Sequence, residues 1–314
     1  MTKTIRIATH GVADDYGQSL VPLIIESLGY KIAWTRPQSA DLIIFGPFSK
    51  RDEKKHRWLP KPLRPMLSAV LQHMQPNHRP VTLFQTGENL RHNHIPCDYS
   101  LSFDLAVVGT RHCRLPYWME MVDWRHEGVS GNRNPRFGQL LNINRLMQPL
   151  GREFLQKPFQ AAIFASHLQE PRETLFNAVR RAMPVHGFGP YFDSAIKHHS
   201  MSGITKQEVL KGYAFNLCPE NSMYPGYYTE KIPEAFMAGS LPVTWVDSNV
   251  SVDFNPNAML NLAPMMQEDF KGLEDLLLTK SNLEKFAGEH LIHHRPTIEN
   301  LKTFIQALMQ DALH

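Results

Sequence analysis

The residues from Phe215 to Trp245, FNLCPENSMYPGYYTEKIPEAFMAGSLPVTW, constrain the fold more than any other part of the chain. Phe215–Cys218 is an apolar run of strand length. Asn221–Tyr228 mixes Asn, Ser, Pro, Gly and Tyr, which is loop composition. Thr229–Gly239 then reads as a helix: Thr229 is an N-cap residue type, Ala235, Phe236 and Ala238 make an apolar side, and Gly239 is a C-terminal stop. Leu241–Trp245 returns to strand. A strand–loop–helix–strand unit is a building block of α/β folds, and a helix start after a strand presents backbone N–H groups to an anion. Lys231 falls in the first turn, where the helix dipole disfavours a cation. An anion beside it resolves that conflict, and Glu220, Asn221, Tyr227 and Tyr228 crowd polar groups around the same point.

The rest of the chain repeats the alternation. Strands are expected at Thr4–Ala8, Lys31–Trp34, Asp41–Phe45, Pro80–Phe84 and Leu105–Val108, with helices at Gln18–Leu28 and Pro65–Gln75. Asp123 to Pro158 changes character and is rich in Gly, Asn, Arg and Pro, so the domain boundary is expected there; Leu140–Leu150 within it reads as a short helix. Alternation resumes with strand Gln160–Ala165, helix Arg172–Met183, a strand or turn at Val185–Gly189 and helix Thr205–Gly212. After the opening stretch come strand Met259–Leu262 and helices Gln267–Leu278 and Leu301–Leu313. A chain of 314 residues fits two domains. The expectation is an α/β protein of two doubly wound, Rossmann-like domains facing across a cleft, over 1–150 and 151–314, with the terminal helix packed back on the first.

Composition narrows the chemistry. A net charge of +3 is too small to mark a nucleic-acid-binding domain. Lys50–Arg64 is locally basic and reads as a solvated loop or as a surface for anionic lipid or acceptor. The three cysteines are widely spaced, which suggests neither a disulfide framework nor a zinc site. No stretch has transmembrane or signal-peptide character, which implies a cytoplasmic location, with peripheral association at a membrane left open. No GxGxxG follows a strand, no P-loop occurs and no GxSxG is present. The paired histidines His198-His199 and His293-His294 cannot share one helix face, and Asp14-Asp15 reads as a turn or cap. Without an Asp-x-Asp pair to hold Mg²⁺, a bound diphosphate is expected to be neutralised by Arg, Lys and a helix N-terminus. Lys231 is one such cation; Arg172, opening a helix after strand Gln160–Ala165, is another. Strand Pro80–Phe84 runs into Gln85-Thr86-Gly87-Glu88-Asn89, placing a carboxylate where open α/β sheets bind ligands. Glu88 with a cationic anion site suits general-base-assisted group transfer.

These residues resemble a known family. FNLCPENSMYPGYYTEKIPEAFMAGSLPVTW is similar to the donor-binding signature of the α-1,3-fucosyltransferases, glycosyltransferase family 10: a strand, E-N-S, a Gly-containing loop, Y-x-T-E-K, an amphipathic helix and a closing strand with Pro. Thr86-Gly87-Glu88-Asn89, Asp98–Asp104 (DYSLSFD), Arg114-Leu115-Pro116, Phe164-Ala165-Ser166 with Arg172, and Asp253-Phe254-Asn255-Pro256 resemble further family elements in the same order. Pro219, Tyr228 and His167 stand where the family usually has Phe, Val and Asn.

The resemblance implies a GT-B fold with an N-terminal acceptor domain and a C-terminal donor domain for GDP-fucose. It implies an inverting transfer of L-fucose that forms an α-fucoside, usually on O3 of N-acetylglucosamine, with no essential divalent metal and no other cofactor. Position by position, Glu88 would be the general base, Arg172 and Lys231 would hold the diphosphate, Glu230 would bind the ribose hydroxyls, and Asn221 and Tyr227 would line the donor pocket. The layout is closest to bacterial members, with an oligosaccharide or lipopolysaccharide precursor as acceptor. A transferase of the same fold using another GDP-linked deoxysugar, or a non-catalytic carbohydrate- or nucleotide-binding module, are the alternatives.

Overall fold

A computed structural model describes residues 3–49, 79–193 and 203–314. The basic run Lys50–Arg64, the helix expected at Pro65–Gln75 and the pair His198-His199 lie outside the described residues. The chain divides into two units: Met1–Ser102 with Val107–Arg114 and Glu299–His314, and Phe103–Ala106 with Leu115–Ile298.

The first unit is built on six strands: β1 (Lys3–His10), β2 (Tyr30–Trp34), β3 (Leu42–Phe45), β4 (Val81–Gln85), β5 (Tyr99–Ser102) and β6 (His112–Arg114), in the order β2-β1-β3-β4-β5-β6. Every pairing is parallel. Parallel strands are covered on both faces, which is why their sequences are short apolar runs. Helix Leu20–Ser27 buries Leu20, Val21, Ile24 and Ile25. The terminal helix Glu299–Leu313 packs on that helix, β4 and β6. Tyr99 fixes it by donating its hydroxyl to Asp311 at 2.5 Å and meeting Phe304 edge to face.

The second unit carries five strands, β7 (Ala161–Phe164), β8 (Val185–Phe188), β9 (Phe215–Leu217), β10 (Leu241–Thr244) and β11 (Leu260–Asn261), in the order β11-β10-β9-β7-β8 and again all parallel. From β7 the chain steps outward to β8, then returns to lay β9 on the other side. The strand order therefore reverses between β7 and β9, and the crevice beyond their C-terminal ends is where such a sheet binds ligands.

Several expectations are corrected. The division between the units falls at Arg114–Leu115 rather than near residue 150, while the terminal helix belongs to the first unit, as expected. The Gly- and Asn-rich stretch Gly128–Phe137 belongs to the second unit and sends Val129, Asn132, Asn134 and Phe137 into its interior. Its Asn132 donates to the Glu120 and Val122 carbonyls at 3.1 and 2.8 Å, and Phe137 is fully buried. Its polar composition serves internal hydrogen bonds, which mimic a linker in one dimension. Leu105–Val108 is not a strand, and Val108 is 97% exposed. The strands there are β5 and β6, whose serines and histidine obscured the pattern. Thr205 opens helix Lys206–Leu210 with a capping box to Glu208. The helix expected at Gln267–Leu278 is confined to Leu273–Leu278, because Asp269 and Phe270 adopt φ of 47° and 58°, and a separate short helix, Ala263–Met266, precedes the break. A further helix, Lys280–Ala287, was not expected.

Candidate functional site

The opening stretch folds as β9, a loop, helix Lys231–Met237 and β10. Thr229 is not its N-cap. That position is held by Glu230, without a side-chain cap bond. Thr229 instead donates its N–H to Glu220 Oε1 at 2.7 Å and its hydroxyl to the same carboxylate. Lys231 Nζ donates to Glu220 Oε2 at 2.9 Å and to Thr229 Oγ1 at 2.8 Å. The anion that resolves the first-turn lysine is therefore the protein's own Glu220, whose side chain is 1% exposed against 18% for Lys231. Burial opposes the Lys231 charge, yet Glu220 and Glu230 outweigh it and hold the ammonium above the usual lysine range. An ammonium has three protons, and these contacts commit two of them.

Arg172 is the first residue of helix Arg172–Ala182, just past β7, and is 5% exposed. Its Nη1 donates to Asn221 Oδ1 at 2.8 Å and its Nη2 to the His167 carbonyl. Asn221 thus aims the guanidinium. His167 contributes its backbone carbonyl, so the contact does not depend on its side chain. Burial lowers the His167 imidazole below its ordinary range, and Arg172 and Lys231 add to the effect. Tyr227 is buried with its ring 4.9 Å from Phe103. The loop can approach that closely because Gly226 has φ of 89°, and a Cβ there would meet the Phe103 carbonyl oxygen at 2.4 Å. Tyr228, in place of the usual valine, donates its hydroxyl to Asp247 at 3.1 Å. Burial raises the Glu230 carboxyl, but Lys231, Lys206 and Arg136 together hold it below the usual range.

A narrow crevice at the ends of β7 and β9 is lined by Arg136, Arg172, Lys206 and Lys231 together with Ala165 and Pro219. The second unit thus gathers Arg172, Asn221, Tyr227, Glu230 and Lys231. Glu88 belongs to the first unit, exposed in the loop after β4, where its N–H and carbonyl both bond the Thr86 hydroxyl at 3.0 Å. Sequence reasoning missed Arg136, Lys206 and the carboxylate of Glu234. The signal that exposed Lys231, a lysine in a first helical turn, was equally present at Lys206. Lys157 ties both helices together by donating to the Leu210, Ala238 and Gly239 carbonyls at 3.2, 3.2 and 2.8 Å. A cation at two helix C-termini is dipole-favoured. Among the described residues, no group of three or more His, Cys, Asp or Glu is placed to hold a metal.

Glu220→Gln tests the internal pairing. It should keep the hydrogen bonds to Thr229 but leave Lys231 uncompensated, lowering stability by about 3 kcal/mol. A denaturant midpoint equal to wild type would show that Glu220 does not balance Lys231.

Two family models match the chain. One, described as the alpha-(1,3)-fucosyltransferase FucT N-terminal domain, matches residues 66–121, and the other, described as the glycosyltransferase family 10 (fucosyltransferase) C-terminal region, matches residues 154–290. The chain belongs to glycosyltransferase family 10. The second match spans β7 to helix Lys280–Ala287 and so covers the whole family 10 crevice apart from Arg136. Alpha-(1,3)-fucosyltransferase FucT of Helicobacter pylori is 27% identical over 212 residues, which is 62% of this chain and 42% of that protein. A putative fucosyltransferase of Acanthamoeba polyphaga mimivirus is 22% identical over 250 residues, 76% of this chain and 40% of that protein. The chain thus spans about two fifths of the length of these relatives. A crystal structure of an alpha1,3-fucosyltransferase with GDP-fucose matches all of this chain and 92% of that one, with a TM-score of 0.64 and 21% identity. One with GDP matches 99% of this chain and 90% of that one, with a TM-score of 0.63 and 21% identity. The fold is therefore α/β of the GT-B type, built on two parallel sheets.

Proposed function

We propose that this family 10 chain is an inverting α-1,3-fucosyltransferase that moves L-fucose from GDP-fucose to a glycan hydroxyl, most simply O3 of N-acetylglucosamine in an N-acetyllactosamine-type acceptor. The observation that carries the reading is the convergence of Lys231 and of Arg172, aimed by Asn221, on the crevice where the strand order reverses, in a family with a solved relative bound to GDP-fucose. In the proposed reaction the acceptor oxygen bonds to C1 of fucose on the face away from GDP. The C1–phosphate oxygen bond breaks, its electron pair leaves with GDP, and Glu88 takes the acceptor proton. The transition state is oxocarbenium-like. Its developing phosphate charge is met by Arg172 and Lys231, already held in place by Asn221, His167 and Glu220. Preset cations need no reorganisation as the bond breaks. Glu230 takes the ribose hydroxyls and Tyr227 lines the nucleotide pocket. With this cationic set, departure of GDP requires no divalent metal and no other cofactor.

A bacterial, cytoplasmic enzyme working on a lipopolysaccharide or capsule precursor, peripherally at the inner membrane, fits this reading. Among the described residues no helix is long and apolar enough to cross a membrane. Nucleic acid is not an expected partner.

The test has two parts. GDP at a hundredfold excess over its Kd should stabilise the protein by about 2.7 kcal/mol, seen as a rise in Tm, and UDP should not. Incubation with GDP-fucose and N-acetyllactosamine should release GDP and yield an α-fucoside. Stabilisation by GDP with turnover only on another GDP-linked deoxysugar would shift the donor. Stabilisation without turnover on any GDP-sugar and acceptor panel would leave a binding module.

A further inference from the structure

Four cations line the crevice, and they differ in what balances them. Lys231 faces Glu220 at 2.9 Å, and Lys206 faces Glu234 at 2.8 Å. Arg172 is aimed by two neutral acceptors, Asn221 and the His167 carbonyl. Arg136 has neither kind of partner. Among the described residues its side chain makes no hydrogen bond or ion pair, although Glu230 is close enough to feel its charge. The residue is half-buried, and its backbone is fixed. Its carbonyl accepts the Lys206 N–H at 3.0 Å, the next carbonyl accepts the Gln207 N–H at 3.2 Å, and Phe137 is fully buried. Anchored backbone and uncommitted guanidinium are the combination a ligand-binding arginine requires.

We propose that Arg136 is a further ligand of the donor diphosphate and grips it together with Arg172; this rests on reading the crevice as the GDP site. Glu220 and Glu234 pair with the two lysines, whereas neither arginine has a carboxylate at ion-pair distance among the described residues, so the arginines add positive charge to what the remaining Lys231 proton offers an anion. A guanidinium presents paired donors that match phosphate oxygens bidentately, which a lysine cannot do. The two arginines reach the crevice from separate segments, one from the loop ending at Gly138 and one from the helix after β7. That division lets each hold a different oxygen set. The segment Gly128–Phe137, which looks like a linker in sequence, thereby becomes part of the donor site.

Calorimetric titration of the full chain with GDP and with guanosine tests this, using wild type, Arg136→Gln and Arg136→Lys. Loss of a charged hydrogen-bonding partner should weaken GDP binding about 10- to 100-fold in Arg136→Gln. The salt dependence of GDP affinity should become shallower, while guanosine affinity and Tm stay at wild-type values. Arg136→Lys should recover part of the loss, because it restores charge without the fork. Unchanged GDP affinity in Arg136→Gln would overturn the assignment, as would an equal loss for GDP and guanosine, which marks a structural role. Failure of the wild-type chain to bind GDP would instead overturn the reading of the crevice itself.

Discussion

Glu88→Ala is expected to lower fucosyl transfer by about 10²–10⁴-fold while leaving GDP affinity at the wild-type value. Glu88 follows the C-terminal end of β4 in the first unit, whereas Arg172, Asn221, Tyr227, Glu230 and Lys231 all belong to the second. A base that takes the acceptor proton affects the bond-forming step and contributes nothing to holding the nucleotide. The loss should therefore sit in kcat, with the Kd for GDP unmoved. Glu88→Gln should behave like the alanine variant, since it preserves size and hydrogen bonding but cannot accept the proton. Steady-state kinetics paired with GDP titration decides the matter. A parallel fall in turnover and GDP affinity would remove Glu88 from the role of base.

Breaking the Lys206–Glu234 pair should cost about 3–5 kcal/mol of stability. The two side chains are 3% and 1% exposed and meet at 2.8 Å. Glu234 also accepts from Asn134 at 2.8 Å, and Lys206 lies 5.2 Å from the Phe164 ring centre. Glu234→Ala strips the countercharge and leaves a buried ammonium without its carboxylate. Lys206→Met leaves the converse, a buried carboxylate. The double variant Lys206→Met with Glu234→Leu removes both charges together and should recover most of the lost stability. Glu234 sits one turn along the helix that begins at Lys231, so Glu234→Ala should also weaken GDP binding by disturbing that turn. Chemical denaturation of the three variants measures these differences. Single variants within about 0.5 kcal/mol of wild type, the range of ordinary surface changes, would refute the pairing's importance.

Both sheets were largely legible in the sequence, because parallel strands buried on two faces leave short apolar runs. Where polar residues are buried in a strand, as Ser100 and Ser102 are in β5, that signal disappears. The helix at Gln267–Leu278 failed for a different reason. A break made by left-handed φ at Asp269 and Phe270 leaves no mark on hydrophobic periodicity. The domain boundary failed because composition cannot separate asparagines that solvate a linker from asparagines that bond buried carbonyls, as Asn132 does.

The sequence by itself determined the strand–loop–helix–strand unit at Phe215–Trp245 and the membership in family 10. These depend on order and spacing along a short stretch. Only the tertiary structure decided how the charges there are balanced. The partners of Lys231, Lys206 and Asn134 lie 11, 28 and 100 residues away. Lys231 drew notice as a cation out of place, and folding supplies its anion from within as Glu220. Charge compensation is a property of distance in space, and the chain encodes it only through the fold.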